Sequence, residues 1–504
     1  MPDKITRRDF LKLAGTSSLS IPIARLNNLL KVQQKQPNII IVVFDALSAR
    51  NISLYGYQRD TMPNLSRLLD RAVVYHRHYA SGNYTIPGTA SLLTGTFPWT
   101  HRAFRHNEAP DESFFRKNIF TAFEDYYSIT YTHNQWALTV LNNLSSDVDE
   151  AVPWEKLLLT TDKFIPKLFE NDLDIATLGW VRSTKRKENG YSYSLFFPNI
   201  YERFRNFQVQ NLQGQYPRGV PSMHADTYFL LEDAINWVGN KVSNLDQPFL
   251  GYFHFWPPHA PYATHQEFYG RFKSDGYKHP SKPPDIFRTN PPYPDLRLLR
   301  MEYDESILYV DREFGRLYDY LEIAGLLENT WVIFTSDHGE LLERGIAGHI
   351  TSLLYDPLIN IPLVIFEPGR NTRVDIYSPT SAIDLIPTLL HITGHQRSEW
   401  LEGRILPPYD EPNSGRNIFA LEATKNEKYD PLKIATTALI KDQYKLMYFF
   451  GYPRLGADGE RIELYDIEND PEELNDLSTS KTETTAELLD ELKQKLAEVN
   501  EPYL

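Results

Sequence analysis

An aspartate and a histidine stand side by side at Asp337 and His338, directly after the apolar run 331–335. A carboxylate and an imidazole on a loop that follows a buried strand often coordinate a divalent metal ion. Asp45 ends a similar run, 38–44, but an acid at the end of a strand is common without any function. The adjacent pair therefore predicts a metal site, and Asp45 taken alone stays ambiguous.

A hydroxyl group stands at Thr85, two residues before Pro87 and ahead of a stretch of small, helix-forming residues. This order is typical of the start of a helix. Free backbone amides and the positive end of the helix dipole favour an anion at such a place. The alternative is that Thr85 only caps the helix. Both interpretations put the hydroxyl at a helix start.

Three apolar runs must position these groups, at 38–44, 249–255 and 331–335. Their β-branched and aromatic residues predict strands that are buried on both faces, as in a parallel sheet covered by helices. Acids or imidazoles follow each run, and ligands bind at that edge of open α/β sheets. The stretch 302–327 has apolar residues at helical spacing and predicts the crossover helix before the last of these strands.

The C-terminal part of the chain has a different pattern. A helix is predicted at 382–390, and an irregular connection at 395–430. Strand character then appears at 433–450 and 460–465, and leucines at helical spacing over 488–499 mark a final amphipathic helix. These elements predict a smaller α+β unit at the end of the chain.

The composition excludes several classes of protein. The chain has 504 residues with 66 acidic and 52 basic side chains, a net charge of −14, which argues against a dedicated nucleic-acid binder. A hydrophobic content of 41% is enough for a large core. The absence of cysteine excludes disulfides, zinc–thiolate sites and a thiol nucleophile. No stretch approaches about 18 uninterrupted apolar residues, so no transmembrane anchor is predicted.

The N-terminus contains Arg7 and Arg8, followed by an aspartate, a phenylalanine, a leucine and a lysine. This segment resembles a twin-arginine export signal, which the export machinery reads as an address. The alternative is a basic amphipathic helix. We therefore expect a periplasmic or extracellular protein, with a cytoplasmic one as the alternative.

Seven sequence blocks occur together in a fixed order. They are PNIIIVVFD at 37–45, YGY at 55–57, TMPNL at 61–65, TIPGTASLLTG at 85–95, PHAPY at 258–262, TSDHGE at 335–340 and ELYDIENDP at 463–471. In order and spacing they resemble the sulfatases of the alkaline phosphatase superfamily over residues 37 to 477.

The resemblance implies an α/β fold with an alkaline-phosphatase-like mixed sheet sandwiched by helices, and a smaller C-terminal α+β subdomain with a small antiparallel sheet. We accordingly expect a signal and linker at 1–35, a catalytic domain at 36–410 and the C-terminal subdomain at 411–504.

The resemblance also implies the residues of the site. The metal ligands would be Asp45, Thr85, Asp337 and His338, around one divalent ion (calcium, magnesium or manganese) with a second ion as an alternative. The substrate-binding residues would be His259, His349 and Lys445. His259 would also be the acid that protonates the leaving group. A surface lysine is the alternative for Lys445, and His254 is either a further imidazole at the site or a core residue.

Three positions depart from the family pattern. Ala46 stands where a second acid is expected, and Thr89 where an arginine is expected. Thr85 itself replaces the cysteine or serine that sulfatases oxidise to formylglycine. Oxidation of a threonine would give a ketone rather than an aldehyde, so no formylglycine is expected.

The function that follows is a metal-dependent hydrolase of sulfuric or phosphoric esters, with Thr85 as a metal-bound nucleophile. Its substrate would be a small-molecule ester or one derived from a glycan or lipid. A threonine ester cannot be expelled by carbonyl re-formation, so water or another acceptor must attack the sulfur or phosphorus. Threonine nucleophiles occur in related phosphodiesterases and in phosphoethanolamine or glycerophosphate transferases. A phosphotransferase of that type and a catalytically weak, sulfatase-like binding protein are the alternatives.

Overall fold

The structure is a computed structural model, and it describes residues 36–106, 108–159, 178, 193–223, 227–288, 295–410, 415–456 and 459–504. The predicted export signal lies outside the described residues. Among the helices in these ranges, none combines the length and the apolar character that crossing a membrane requires. All the elements given below lie within residues 37–504.

The strands and helices are numbered here in chain order. The strands are β1 (Asn38–Phe44), β2 (Ala72–Tyr75), β3 (His78–Tyr79), β4 (Tyr127–Thr132), β5 (Glu150–Ala151), β6 (Phe249–Phe255), β7 (Thr330–Thr335), β8 (Leu342–Glu343), β9 (Ile346–Ala347), β10 (Leu363–Phe366), β11 (Val374–Ile376), β12 (Thr380–Ser381), β13 (Ile418–Glu422), β14 (Ala435–Lys441), β15 (Tyr444–Phe450) and β16 (Glu460–Asp466). The helices are α1 (Pro63–Leu68), α2 (Thr85–Thr94), α3 (Pro98–His101), α4 (Ile119–Ala122), α5 (Gln135–Leu144), α6 (Tyr193–Leu212), α7 (Leu231–Val242), α8 (Leu296–Ile323), α9 (Asp356–Ile359), α10 (Leu385–Thr393) and α11 (Thr482–Asn500).

The largest sheet has eight strands in the order β11-β2-β10-β7-β1-β6-β4-β5. From β7 to β5 all neighbours run parallel, whereas β10 is antiparallel to both β7 and β2. The predicted mixed sheet and its three central strands are confirmed. All seven residues of β1 are buried, as its place inside the sheet requires. Burying each branched side chain contributes about 1.5–3 kcal/mol to the stability of the fold.

Helices cover both faces of this sheet. On one face α1, α7 and α8 pack against the sheet residues of one hydrophobic core, and on the other α2, α5 and α10 pack against a second core. The predicted crossover helix is α8, which begins earlier than expected because Asp295 caps its first turn. The sheet is therefore sealed, and only its strand ends remain open for function.

The C-terminal part holds the predicted small sheet, an antiparallel arrangement in the order β13-β14-β15-β16. Leucines of α11 pack on one of its faces, as expected for the final amphipathic helix. The prediction of an irregular connection over 395–430 is wrong in part, because β13 lies inside it. The five residues of β13 are fully buried, and pairing with β14 orders them.

His78 and His101 are buried histidines outside the sheet edge, and their rings contact the hydroxyl groups of Thr380 and Ser91 respectively. Burial lowers the pKa of each from 6.5 to about 3. Below about pH 6.5 the unfolded chain therefore binds protons that the folded chain does not bind, and stability falls as the pH falls towards 3. Between about pH 7.5 and about pH 5 we expect a loss of roughly 4 kcal/mol in unfolding free energy from the two together.

Urea denaturation at the two pH values measures this effect. The double variant His78→Asn, His101→Gln should lose that part of the pH dependence, because neither replacement titrates. An equal pH dependence in wild type and double variant would contradict the assignment.

Candidate metal centre and nucleophile

Four adjacent parallel strands, β4, β6, β1 and β7, end at the same edge of the large sheet. Asp45 follows β1, and Asp337 and His338 follow β7. His259 lies four residues beyond the end of β6, and Asn134 lies two beyond β4. The topology thus gathers side chains that are far apart in the sequence, at the edge where open α/β sheets bind ligands.

Asp45, Asp337 and His338 form a compact group of possible metal ligands. One ligand atom from each lies within 4.8 Å of the others, and all three residues are buried. His338 Nε2 is 3.3 Å from Asp45 Oδ1 and 3.6 Å from Asp337 Oδ2. Among the described residues, the buried atoms Asp45 Oδ1 and Asp337 Oδ2 have no hydrogen-bond partner. Buried carboxylate oxygens left in this way are costly, and a cation among them would satisfy both. The residues present therefore fit a divalent ion.

The charges in this group depend strongly on one another. Burial raises the pKa of Asp337, and the Asp45 carboxylate raises it further. Burial also acts to raise the pKa of Asp45, but His259 and His338 outweigh it and the net shift is downwards. Burial acts to lower the pKa of His338, yet the two carboxylates raise it to about 9. Without an ion, then, a proton on His338 compensates the carboxylates, and a bound cation would displace that proton.

Neighbouring backbone groups hold these ligands in place. The Ala46 amide donates to Asp337 Oδ1 at 3.3 Å. The ring atom Nδ1 of His338 lies 2.8 Å from the Gly339 carbonyl, so the Nδ1–H donates there and Nε2 is left as the ligand atom. A Cβ at Gly88 would lie 2.3 Å from the Asp337 carbonyl oxygen. Glycine at 88 therefore lets helix α2 approach the metal-binding loop.

Thr85 is the first residue of α2, and the N-cap position belongs to Tyr84. The alternative that Thr85 serves as the cap is therefore wrong. Its Oγ1 lies 3.3 Å from His338 Nε2 and accepts a hydrogen bond from Asn134 Nδ2 at 3.3 Å. The side chain is buried at the positive end of the helix. The hydroxyl thus borders the metal-binding group.

Asn134 is a site residue that the sequence analysis missed. Its Nδ2 also donates to Asp45 Oδ2, while its Oδ1 accepts from the amides of Trp136 and Ala137 at the start of α5. One amide side chain therefore caps a helix and joins the Asp45 carboxylate to the Thr85 hydroxyl. The available signal was an asparagine between the strand pattern of 127–132 and the following helix, which is typical of an N-cap.

His259 and His349 lie together beside the metal group. Their ring centres are 4.8 Å apart, and the His349 ring is 4.4 Å from that of His338. His259 rests on Trp256 and directs its Nδ1 to the Ala260 carbonyl at 2.7 Å. The ring atom Nδ1 of His349 is 3.2 Å from Glu340 Oε1. In both rings the Nε2 atom is the one that remains for a substrate.

The electrostatics of His349 follow from its burial and from its neighbours. Burial lowers the pKa of His349 to about 4, and the neighbouring His338 lowers it as well. His349 is therefore neutral near pH 7 and suits a hydrogen-bonding role. Glu340, which the sequence analysis did not single out, is buried and holds His349 in its orientation.

Lys445 lies in β15 with its side chain fully buried, so the alternative of a surface lysine is wrong. Its ammonium contacts Asp356 at 2.9 Å and Glu473 at 2.5 Å. Burial opposes the charge, but these two carboxylates raise the pKa of Lys445 overall. Within the described residues, these two carboxylates hold the ammonium, rather than Thr85 or a residue of the metal group. Its substrate-binding role stays a prediction, and the ion pairs argue against it.

The chain matches two family models. The Sulfatase model matches residues 37–395, and the model of the N-sulphoglucosamine sulphohydrolase C-terminal region matches residues 350–502. The first match covers the large sheet and every residue of the metal group.

Individual relatives and solved structures are similar over most of their length. The choline-sulfatase of Rhizobium meliloti (strain 1021) is 24% identical over 479 residues, which cover 88% of this chain and 82% of that protein. The phosphonate monoester hydrolase of Agrobacterium radiobacter has a TM-score of 0.66 at 19% identity, covering 93% and 96% of the two chains. The BT4656 structure with D-glucosamine-2-N,6-O-disulfate has a TM-score of 0.64 at 18% identity, covering 93% and 99%. These structures confirm the expected fold.

Proposed function

This chain belongs to the sulfatase family and is a sulfatase-like ester hydrolase, and from that premise we propose that it cleaves sulfuric or phosphoric esters with Thr85 as the nucleophile. The observation that carries the proposal is the position of Thr85 Oγ1, 3.3 Å from His338 Nε2 at the first turn of a buried helix. An alcohol needs activation to attack an ester, and this position can provide it.

Asp45, Asp337, His338 and Thr85 would hold one divalent ion. When bound, the ion would lower the pKa of the threonine hydroxyl and offset the negative charge of the ester oxygens. The N-terminus of α2 favours the same negative charge, because it is the positive end of the helix dipole. Asn134 holds the Thr85 oxygen through the hydrogen bond from Nδ2. The chain therefore fixes the nucleophile before the substrate arrives.

In the first step, the deprotonated Thr85 oxygen bonds to the sulfur or phosphorus. The bond from that atom to the alcohol oxygen of the ester breaks, and the leaving alcohol takes a proton from His259. His349 is neutral near pH 7, and its Nδ1 faces Glu340. We therefore assign it to orienting the ester oxygens rather than to protonating the leaving alcohol. The product of this step is a threonine ester and a free alcohol.

In the second step, water attacks the sulfur or phosphorus of the threonine ester and returns a proton to His259. The bond to the Thr85 oxygen breaks, which releases inorganic sulfate or phosphate and restores the site. The absence of a formylglycine precursor makes this direct attack necessary, because a threonine ester has no carbonyl to re-form. The net reaction consumes one ester and one water.

Two observations bear on the class of ester, and they favour different classes. The relation to a choline-sulfatase and the match to an N-sulphoglucosamine sulphohydrolase C-terminal region support sulfuric esters of small molecules or glycans. The threonine itself favours phosphoric esters, because it replaces the group on which formylglycine sulfatases depend. We take phosphoric esters as the preferred class.

Export through the twin-arginine machinery and a domain boundary near residue 410 are further parts of this proposal, based on the sequence motifs.

A panel of aryl esters tests the function. Chelator-stripped protein, reloaded with Zn²⁺, Mn²⁺ or Ca²⁺, is assayed with an aryl sulfate, an aryl phosphate and a diaryl phosphate. We expect metal-dependent turnover, fastest with a phosphoric ester and lost again on chelation. Failure to cleave any of the three with any ion would contradict the hydrolase proposal, and faster cleavage of the sulfate would reverse the preference.

A further inference from the structure

At the metal group, three buried polar atoms have no hydrogen-bond partner within the part of the chain that the structure describes. Two are the carboxylate oxygens Asp45 Oδ1 and Asp337 Oδ2, and the third is Nε2 of His254 in β6. The His254 side chain is 0% exposed. Buried polar atoms are nearly always satisfied, so three orphans at one place indicate a missing common partner.

The distances indicate that this partner is a cation. His254 Nε2 lies 3.8 Å from Asp45 Oδ2 and 3.7 Å from Asp337 Oδ2, which is too long for hydrogen bonds. His338 Nε2 lies 3.6 Å from the same oxygen of Asp337. Two ligand atoms that each lie about 2.0–2.2 Å from one ion are at most about 4.4 Å apart. Nε2 of His254 is therefore close enough to Asp45 Oδ2 and Asp337 Oδ2 to bind one ion with them, whereas Nε2 of His338 is nearest to Asp45 Oδ1 and Asp337 Oδ2.

The second ring nitrogen of His254 supports the same role. Its Nδ1 lies 3.2 Å from the hydroxyl of Tyr252, which is buried. Histidines that bind metals usually direct the other ring nitrogen to a hydrogen-bonding partner, which fixes the ring and leaves a lone pair for the ion. With Nδ1–H donating to the tyrosine oxygen, the Nε2 lone pair faces the two carboxylates.

We infer that His254 is a ligand of the metal ion. It would be the fourth ligand from the sheet edge, beside Asp45, Asp337 and His338, and Thr85 would be the fifth. This inference rests on the proposed function only in assuming that an ion binds. Ala46 lacks the carboxylate that a second acid would supply next to Asp45. The imidazole of His254, on the strand next to β1, would supply a further donor to the ion in its absence.

An imidazole in place of a carboxylate changes which metal ion the site prefers. A site with two imidazoles and two carboxylates suits Zn²⁺ or Mn²⁺, whereas Ca²⁺ prefers oxygen ligands alone. We therefore expect chelator-stripped protein to bind Zn²⁺ at least 100-fold more tightly than Ca²⁺ in isothermal titration calorimetry. Equal affinities, or tighter binding of Ca²⁺, would overturn the inference.

The number of imidazole ligands can be counted in the wild-type protein. Pulsed electron paramagnetic resonance of the Cu²⁺-loaded protein detects the remote nitrogens of coordinated imidazoles. Two coupled imidazoles are the expected result, and a single one would refute the role of His254 while leaving Thr85 and the hydrolase proposal intact. Failure to bind Zn²⁺, Mn²⁺ or Ca²⁺ at all would overturn the metal site as a whole.

Substitution gives an independent measurement. His254→Gln should lower the Zn²⁺ affinity by about 100-fold and leave the Ca²⁺ affinity within about threefold, because only the softer ion loses a preferred donor. Tyr252→Phe should weaken Zn²⁺ binding by about tenfold. His101→Gln removes another buried histidine and serves as the control with unchanged affinity. Unchanged Zn²⁺ binding in folded His254→Gln, as checked by circular dichroism, would refute the inference.

Discussion

Replacing Thr85 with valine is expected to lower kcat by about 10⁴-fold or more, because the substitution removes the atom that forms the covalent ester. Valine keeps nearly the same shape in the buried first turn of α2, where Thr85 is 3% exposed. Thr85→Ser keeps the hydroxyl and should retain activity within about tenfold. The pair therefore separates the chemistry of the hydroxyl from the packing of the side chain.

Steady-state kinetics with an aryl ester, together with thermal unfolding of both variants, provides the measurement. The melting temperature of Thr85→Val should change little relative to the loss of activity. A Thr85→Val protein with undiminished kcat would refute the assignment of the nucleophile, whatever the substrate proves to be.

Replacing Asp337 with asparagine is expected to abolish stoichiometric metal binding, from about one ion per chain to nearly none, and to reduce activity by at least about 10³-fold. Asp337 supplies a buried oxygen for which the described residues provide no hydrogen-bond donor, and its second oxygen accepts from the Ala46 amide. Asparagine preserves the shape but removes the charge that a cation requires. The effect should therefore exceed that of losing one hydrogen bond.

Metal content after dialysis, measured by inductively coupled plasma mass spectrometry, tests this prediction. Asp311→Asn is the matched control, since Asp311 is also a buried aspartate but accepts from the amides of Asn64 and Leu65 at the start of α1. That variant should lose some stability and keep its metal. Equal metal loss in both variants would point to general destabilisation, and full metal content in Asp337→Asn would contradict the site.

Much of the fold could be predicted because its buried strands are continuous apolar runs in the sequence. The strands after which Asp45 and Asp337 stand are recognisable in this way, and so is the helix start at Thr85. β13 escaped prediction because its short segment becomes a strand only through pairing with β14. Local pattern was sufficient where an element is long and uniformly apolar, and insufficient where tertiary pairing decides.

The site was harder to predict than the fold. The convergence of Asn134, His254 and Asp45 depends on the strand order β4-β6-β1-β7, which no local pattern encodes. Lys445 shows the reverse case: its strand was predictable, but its burial against two carboxylates was not. Ion pairs between distant segments leave no periodic signal in the sequence.

The most direct test of the central claim is to trap the covalent ester on Thr85. His259→Ala with an activated aryl ester is suited to this, because a good leaving group needs no acid whereas water still needs a base. After rapid acid quenching, we predict a burst of about one aryl alcohol per chain and one sulfuryl or phosphoryl group on the peptide containing Thr85, found by tandem mass spectrometry. A burst with the group on another residue, or turnover that never places it on Thr85, would contradict the account.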